Sequence, residues 1–131
     1  MTRIAVVNDD TVFLEMMVAV LAEEGWDAEI YREQGNAFRE LQQNPPDLII
    51  LDIRMESPES GWTLLELFTL DRRLCTIPVI VCSAALLDLQ AHQEALNQNG
   101  IAVLPKPFNI SQLYQEVQAA LQRHCRPDPF A

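Results

Sequence analysis

The sequence predicts an α/β fold, a doubly wound sheet of five parallel strands with helices on both faces. Along its 131 residues, five short β-branched runs take turns with five amphipathic stretches. That alternation builds parallel strands joined by right-handed crossovers. Three of the runs are apolar throughout, as strands covered on both faces must be. A composition of 49% hydrophobic and 21% charged residues suits one domain with its own core and is unlike that of a disordered chain.

The first strand, residues 4–7, is apolar and runs into Asn8-Asp9-Asp10. From Val12 a helical stripe of Phe13, Met16, Met17, Val20 and Leu21 follows and stops at Gly25. Residues 28–31 alternate in polarity, which marks an edge strand. A second helix covers 34–43 and ends at Asn44-Pro45-Pro46. The third strand, 48–51, precedes a helix at 62–70, and the fourth, 79–82, precedes a helical pattern over 86–99 that halts at Gly100. A short run at 101–104 is the other edge. The last helix opens with Asn109-Ile110-Ser111-Gln112, the spacing of a capping box, and carries Leu113, Val117 and Leu121 on one face. Residues 3–124 form one domain, and the breaker-rich residues 125–131 read as a C-terminal tail or linker stub.

Charge narrows the function classes. Nineteen acids against nine bases leave −10, a field that repels phosphate backbones and argues against direct nucleic-acid binding. Eight of the bases are Arg; the one Lys is Lys106. Three cysteines, Cys75, Cys82 and Cys125, show no metal-ligand spacing with each other or with His92 and His124. The opening apolar run is too short for a secretory signal, and the longest mostly apolar stretch, 77–87, is about half the ~20 residues a membrane span needs. A soluble cytoplasmic protein without membrane attachment is expected.

In open α/β sheets, ligands bind beyond the carboxyl ends of the strands, so the residues that end each strand carry the information. They are Asn8-Asp9-Asp10, Asp52, Ser83 and Lys106. Taken singly, Asp and Ser are common helix N-caps, and Asp10 and Thr11 fit that role. Asp52 fits it poorly, because the next helical pattern begins only at Trp62. Lys106, between Pro105 and Pro107, has no helical face to occupy. Carboxylates crowded on one rim suit Mg²⁺, which takes oxygen ligands and is often held beside a phosphate. A lysine and a hydroxyl suit phosphoryl oxygens, and a carboxylate can be the nucleophile that becomes an aspartyl phosphate. No glycine-rich phosphate loop occurs, so nucleotide is not indicated.

The segments Val6-Val7-Asn8-Asp9-Asp10, Asp47 through Asp52-Ile53-Arg54-Met55, Pro78 through Ser83-Ala84, and Lys106-Pro107-Phe108, in that order, resemble the receiver domain of two-component response regulators. The resemblance implies the flavodoxin-like strand order 2-1-3-4-5. It implies Asp52 as phosphoacceptor in a Mg²⁺-dependent transfer, with a histidine kinase or phosphotransfer protein of a phosphorelay as donor. Asp9, Asp52 and the backbone carbonyl of Arg54 would bind the metal directly, and Asn8 through water. Ser83 and Lys106 would meet the phosphoryl group, and the Lys106-Pro107 bond would be cis. The product is a switch that catalyses only its own phosphorylation and dephosphorylation, read by an output domain or protein partner, with a homodimer through the last two helices also possible by resemblance.

The sequence departs from that pattern in places. Asn8 stands where an acid is usual, which lowers the expected Mg²⁺ affinity. Arg54 lies where side chains tune hydrolysis, Glu56 replaces a customary Pro, and Gly61 is one residue farther from Asp52 than usual. Val103 takes the place of a switching aromatic, leaving Ser83 to report through other contacts. These departures support the alternative of a pseudo-receiver, an interaction module independent of phosphorylation. A flavin carrier is opposed by the acidic loop after the first strand, and a Cys-based phosphatase by the lack of a basic cradle near Cys75 or Cys82. Trp26 and Trp62 read as core or helix-surface residues rather than stacking platforms.

Overall fold

A computed structural model describes residues 2–53, 60–84 and 86–123. The elements run β1 (Arg3–Val7), α1 (Thr11–Glu23), β2 (Asp27–Tyr31), α2 (Gln34–Gln43), β3 (Leu48–Asp52), α3 (Ser60–Leu70), β4 (Val79–Ser83), α4 (Leu86–Ala91), α5 (Gln93–Gln98), β5 (Ala102–Pro105) and α6 (Ile110–Gln122). The five strands form one parallel sheet in the order β2-β1-β3-β4-β5. The alternating run is thus an edge, as is the short last one, and the three apolar runs lie between them.

Strand pleating divides the core into two layers, because successive side chains point to opposite faces. Ile4, Val6, Leu48, Ile50, Ile80 and Cys82 meet Leu14, Met17 and Leu21 of α1 and Leu113, Val117 and Ala120 of α6. Ala5, Val7, Ile49, Leu51, Val79 and Val81 meet Ala37 and Leu41 of α2, Leu64 and Phe68 of α3, and Leu96 of α5. Burial on both faces explains why β3 and β4 contain no polar residue before their last position.

The capping box at α6 forms as its spacing predicts: Asn109 Oδ1 accepts from the Gln112 backbone N–H, and Gln112 Oε1 accepts from that of Asn109. Gly25 and Gly100 take φ of 78° and 67° at the ends of α1 and α5, where an L side chain would be strained.

Two expectations need correction. The helical pattern over 86–99 is not one helix but two, broken at His92, whose N–H reaches back three residues to Leu89 O. The tight turn accompanies a stack of the imidazole on the Trp62 ring, with centroids 3.8 Å apart and planes 19° from parallel. Trp62, half-buried against the α2–α3 layer, is the core-flanking helix residue the sequence implies, with His92 covering its ring. The apolar stripe of α1 is also displaced. Leu14, Met17 and Leu21 are its buried line, whereas Met16 is 43% exposed and Phe13 only half-buried. Phe13 and Met16 lean instead toward the rim of the sheet, where they line a cleft with Lys106 and Phe108.

Candidate functional site

Parallel pairing lines up the carboxyl ends of the three central strands. Val7 pairs with Leu51, Asp52 with Cys82, and Ser83 with Pro105. The residues after β1, at the end of β3, at the end of β4 and after β5 therefore fall on one rim. Asn8, Asp52 and Ser83 are the buried polar side chains there, at 1%, 8% and 1% exposure.

The rim is closed by a contact between residues far apart in the chain. Lys106 Nζ donates to Asp52 Oδ2 at 3.0 Å. The Lys106 backbone N–H donates to Ser83 O at 2.9 Å, fixing the start of the β5–α6 loop against β4. The Lys106-Pro107 peptide bond is cis, as the resemblance implied. Ser83, Asp52 and Lys106 are thus brought together, as the strand-end argument expected.

Around β1 the roles separate. Asp10 is the N-cap of α1: its Oδ1 accepts from the Val12 and Phe13 N–H groups at 3.0 and 3.3 Å. Its carboxylate is committed to the helix, in agreement with its reading as a cap. Asn8 is locked by its own N–H to Tyr31 O at 3.0 Å, and its Oδ1 accepts from the Asp10 N–H at 2.9 Å. Its Nδ2 is buried with no partner. A buried amide donor without a partner costs free energy, and among the described residues this N–H has none. Asp9, between them, is exposed.

The donor chemistry suits a hard cation. Asp9 and Asp52 bring carboxylate oxygens, while the Cys82 sulfur near the end of β4 is buried in the apolar layer below. Among the described residues no group of three His, Cys, Asp or Glu stands close enough to hold an ion unaided. The rim thus fits a metal that keeps several waters, such as Mg²⁺, better than one caged by protein. Arg54, whose carbonyl the resemblance added, lies outside the described residues, as do Glu56 and the tail at 125–131.

Burial pushes the Cys82 thiol up to about 12; Lys106 opposes this and Asp52 adds to it. At neutral pH Cys82 is a neutral apolar group beneath the rim, not a nucleophile. Val103 is half-buried against the α2–α3 layer. Gly61 donates its N–H to Ile53 O at 3.0 Å, and a Cβ at this position would overlap the Ile53 backbone. The glycine noted for its unusual spacing is required by that close approach.

Sequence reasoning missed one residue. Phe13, read as part of a core stripe, presents its ring to Lys106, with Nζ 4.4 Å from the centroid. Phe108 meets the same ring edge-on, at 6.4 Å and 88°. The signal was available in principle: Phe13 lies in the first turn of α1 and Phe108 two residues after the lysine, both beside the strand ends.

Comparison with known proteins agrees with this geometry. The response regulator receiver domain family matches residues 4–118. The DNA-binding transcriptional regulator NtrC of Proteus hauseri is 28% identical over 119 residues, covering 91% of this chain and 24% of that protein. A transcriptional regulatory protein, the CpxR homolog of Haemophilus influenzae, is 28% identical over 127 residues, covering 97% and 53%. The chain therefore spans about a quarter to a half of these curated relatives. Among solved structures, the receiver domain of a Pseudomonas aeruginosa sensor histidine kinase, with a magnesium ion coordinated in its active site cleft, superposes with TM-score 0.79 at 22% identity, covering 92% of this chain and 98% of that one.

Proposed function

The chain belongs to the response regulator receiver domain family, and on that premise we propose that it is a phospho-accepting switch with Asp52 as acceptor. It is a signalling domain, not an enzyme turning over a separate substrate. The observation that carries the reading is the 3.0 Å contact of Lys106 Nζ with a nearly buried Asp52 carboxylate at the end of an apolar strand. Burying an acid there is costly unless it is paired, and the chain spends its one lysine on the pairing.

In the proposed transfer an Asp52 carboxylate oxygen forms a bond to phosphorus as the P–N bond of a phosphohistidine on a histidine kinase or phosphotransfer protein breaks. The bonding pair leaves with the imidazole nitrogen. Lys106 pairs with a phosphoryl oxygen, and the Ser83 hydroxyl donates to another; such positioning and charge stabilisation is most of what phosphoryl transfer needs. Asp9 and Asp52, with the Arg54 carbonyl, would hold Mg²⁺, which when bound neutralises charge on the phosphoryl oxygens. Asn8 brings an uncharged amide where an acid is usual, so the ion would be held by less negative charge than a third acid would supply. Attack of water at phosphorus later restores the carboxylate and releases phosphate, ending the signal.

We take the receiver unit as residues 3–124, acting in the cytoplasm with its kinase. Among the described residues no helix is long and apolar enough to cross a membrane. The added charge is read through the face of α4, α5, β5 and α6 by an output domain or a separate protein, with self-association through the same face a further possibility of the reading. A pseudo-receiver is the second reading, favoured by the uncharged Asn8. Incubation with Mg²⁺ and acetyl phosphate, followed by intact-mass measurement, decides between them. The switch gains the mass of one phosphoryl group, which Asp52→Asn abolishes. A wild-type protein that gains none is a pseudo-receiver.

A further inference from the structure

We propose that Phe13 is a positioning residue for Lys106: its ring face and the Asp52 carboxylate together fix the ammonium group where the phosphoryl oxygen arrives. This rests on the reading of Asp52 as phosphoacceptor. Lys106 Nζ lies 4.4 Å from the Phe13 centroid while 3.0 Å from Asp52 Oδ2. A lysine head group on a flexible four-carbon stem has considerable freedom to lose, and one hydrogen bond alone restrains it weakly. The ring supplies the second restraint. The ring is itself held, because the N-cap Asp10 fixes the first turn of α1 and Phe108 packs against it edge-on. Phe108 follows Lys106 by two residues, so the lysine's own loop steadies the ring that steadies the lysine.

The chemistry favours a ring over a second carboxylate at this position. A π face attracts a cation without adding charge, and the attraction is strongest where water is partly excluded. The Lys106 side chain is 25% exposed. When a phosphoryl group reaches Asp52, the ammonium must transfer its hydrogen bond to a phosphoryl oxygen. A competing acid would hold it back, whereas the broad π surface lets it slide while keeping it in the cleft.

Because Lys106 is the chain's one lysine, protein labelled with ¹³C,¹⁵N-lysine reports this side chain alone. The ring should shift the Lys106 Hε protons upfield in the wild type, and Phe13→Leu should remove that shift. Phosphoryl uptake from acetyl phosphate and Mg²⁺ should slow about fivefold in Phe13→Leu and recover to within about twofold in Phe13→Tyr, which keeps the π face. Fivefold corresponds to about 1 kcal/mol, at 1.36 kcal/mol per tenfold. Site-specific 3,4,5-trifluorophenylalanine at position 13 is the variant a merely structural role would tolerate. It keeps an aromatic ring of similar shape but drains its negative face, and uptake should slow with an unchanged melting temperature. A trifluoro variant as fast as wild type, or an upfield shift retained in Phe13→Leu, overturns the proposal alone. A wild-type protein that takes up no phosphoryl group overturns the acceptor reading and this proposal with it.

Discussion

At the N-terminal edge of the sheet the Arg3 guanidinium donates to Glu29 Oε1 at 2.7 Å, to Asn44 Oδ1 and O at 3.4 and 3.1 Å, and to Pro45 O at 3.2 Å. Its backbone N–H donates to Asp47 Oδ2 at 2.8 Å. At the opposite end, Lys106 Nζ meets one carboxylate and one aromatic face, and the buried Asn8 Nδ2, just after β1, has no partner among the described residues. Both cations tie together elements distant in the chain. Arg3 engages both terminal nitrogens with four protein acceptors, two of them backbone carbonyls that cannot leave. Lys106 keeps donors in reserve. One end of the sheet is a fastening and the other leaves hydrogen-bond donors unused by the described residues, and the degree of hydrogen-bond saturation separates them more clearly than burial does.

Substituting each cation in turn puts the contrast to its hardest test. Lys106→Met should slow phosphoryl uptake from acetyl phosphate about a hundredfold, the usual scale for losing one donor to a developing oxyanion. Arg3→Met should leave uptake unchanged but lower unfolding free energy by about 2 kcal/mol, read from urea denaturation, since several charge-assisted bonds at a partly exposed site are lost together. Equal kinetic effects at the two positions would break the distinction.

Asn8→Asp sharpens the picture of the unsaturated end. An acid there should tighten Mg²⁺ binding about tenfold by calorimetric titration, and lower stability when the metal is withheld, because a charge replaces a buried amide. Unchanged affinity would place the amide outside the metal's field.

The smallest effect concerns what lies under the rim. Cys82 stays a neutral thiol in the folded protein up to about pH 12, whereas in the unfolded chain it ionises near its ordinary value of 9.0. Below pH 9 its contribution to stability is complete. As pH rises from there toward 12 the unfolded state gives up the proton first, and stability falls by roughly 1 kcal/mol per pH unit. Denaturation at pH 9 and 10, with Cys82→Ala showing the shallower slope, checks the sign.

The fold was legible because its signals are local or periodic. Leu48-Ile49-Ile50-Leu51 could only be a strand covered twice, and Asn109 with Gln112 announced the start of α6. The site was legible because parallel strands must end on the same rim. What escaped depends on three-dimensional neighbours. The break at His92 goes with a ring contributed by Trp62 from another helix. Met16 looks like any stripe residue until α1 is docked, when the line through Leu14, Met17 and Leu21 proves to be the buried one. Phe13 differs from a core residue by what lies above it, a lysine 93 positions downstream. The unpaired Asn8 Nδ2 became visible only once the Asp10 backbone N–H was seen to donate to the Asn8 Oδ1 of the same side chain.

The Gly61–Ile53 hydrogen bond bears on how this protein tolerates change. It ties the residue after β3 to the first turn of α3, and the Ile53 backbone leaves no space for a Cβ at position 61. Any side chain there must push aside the backbone that directly follows Asp52, so drift at this position would be felt at the carboxylate itself.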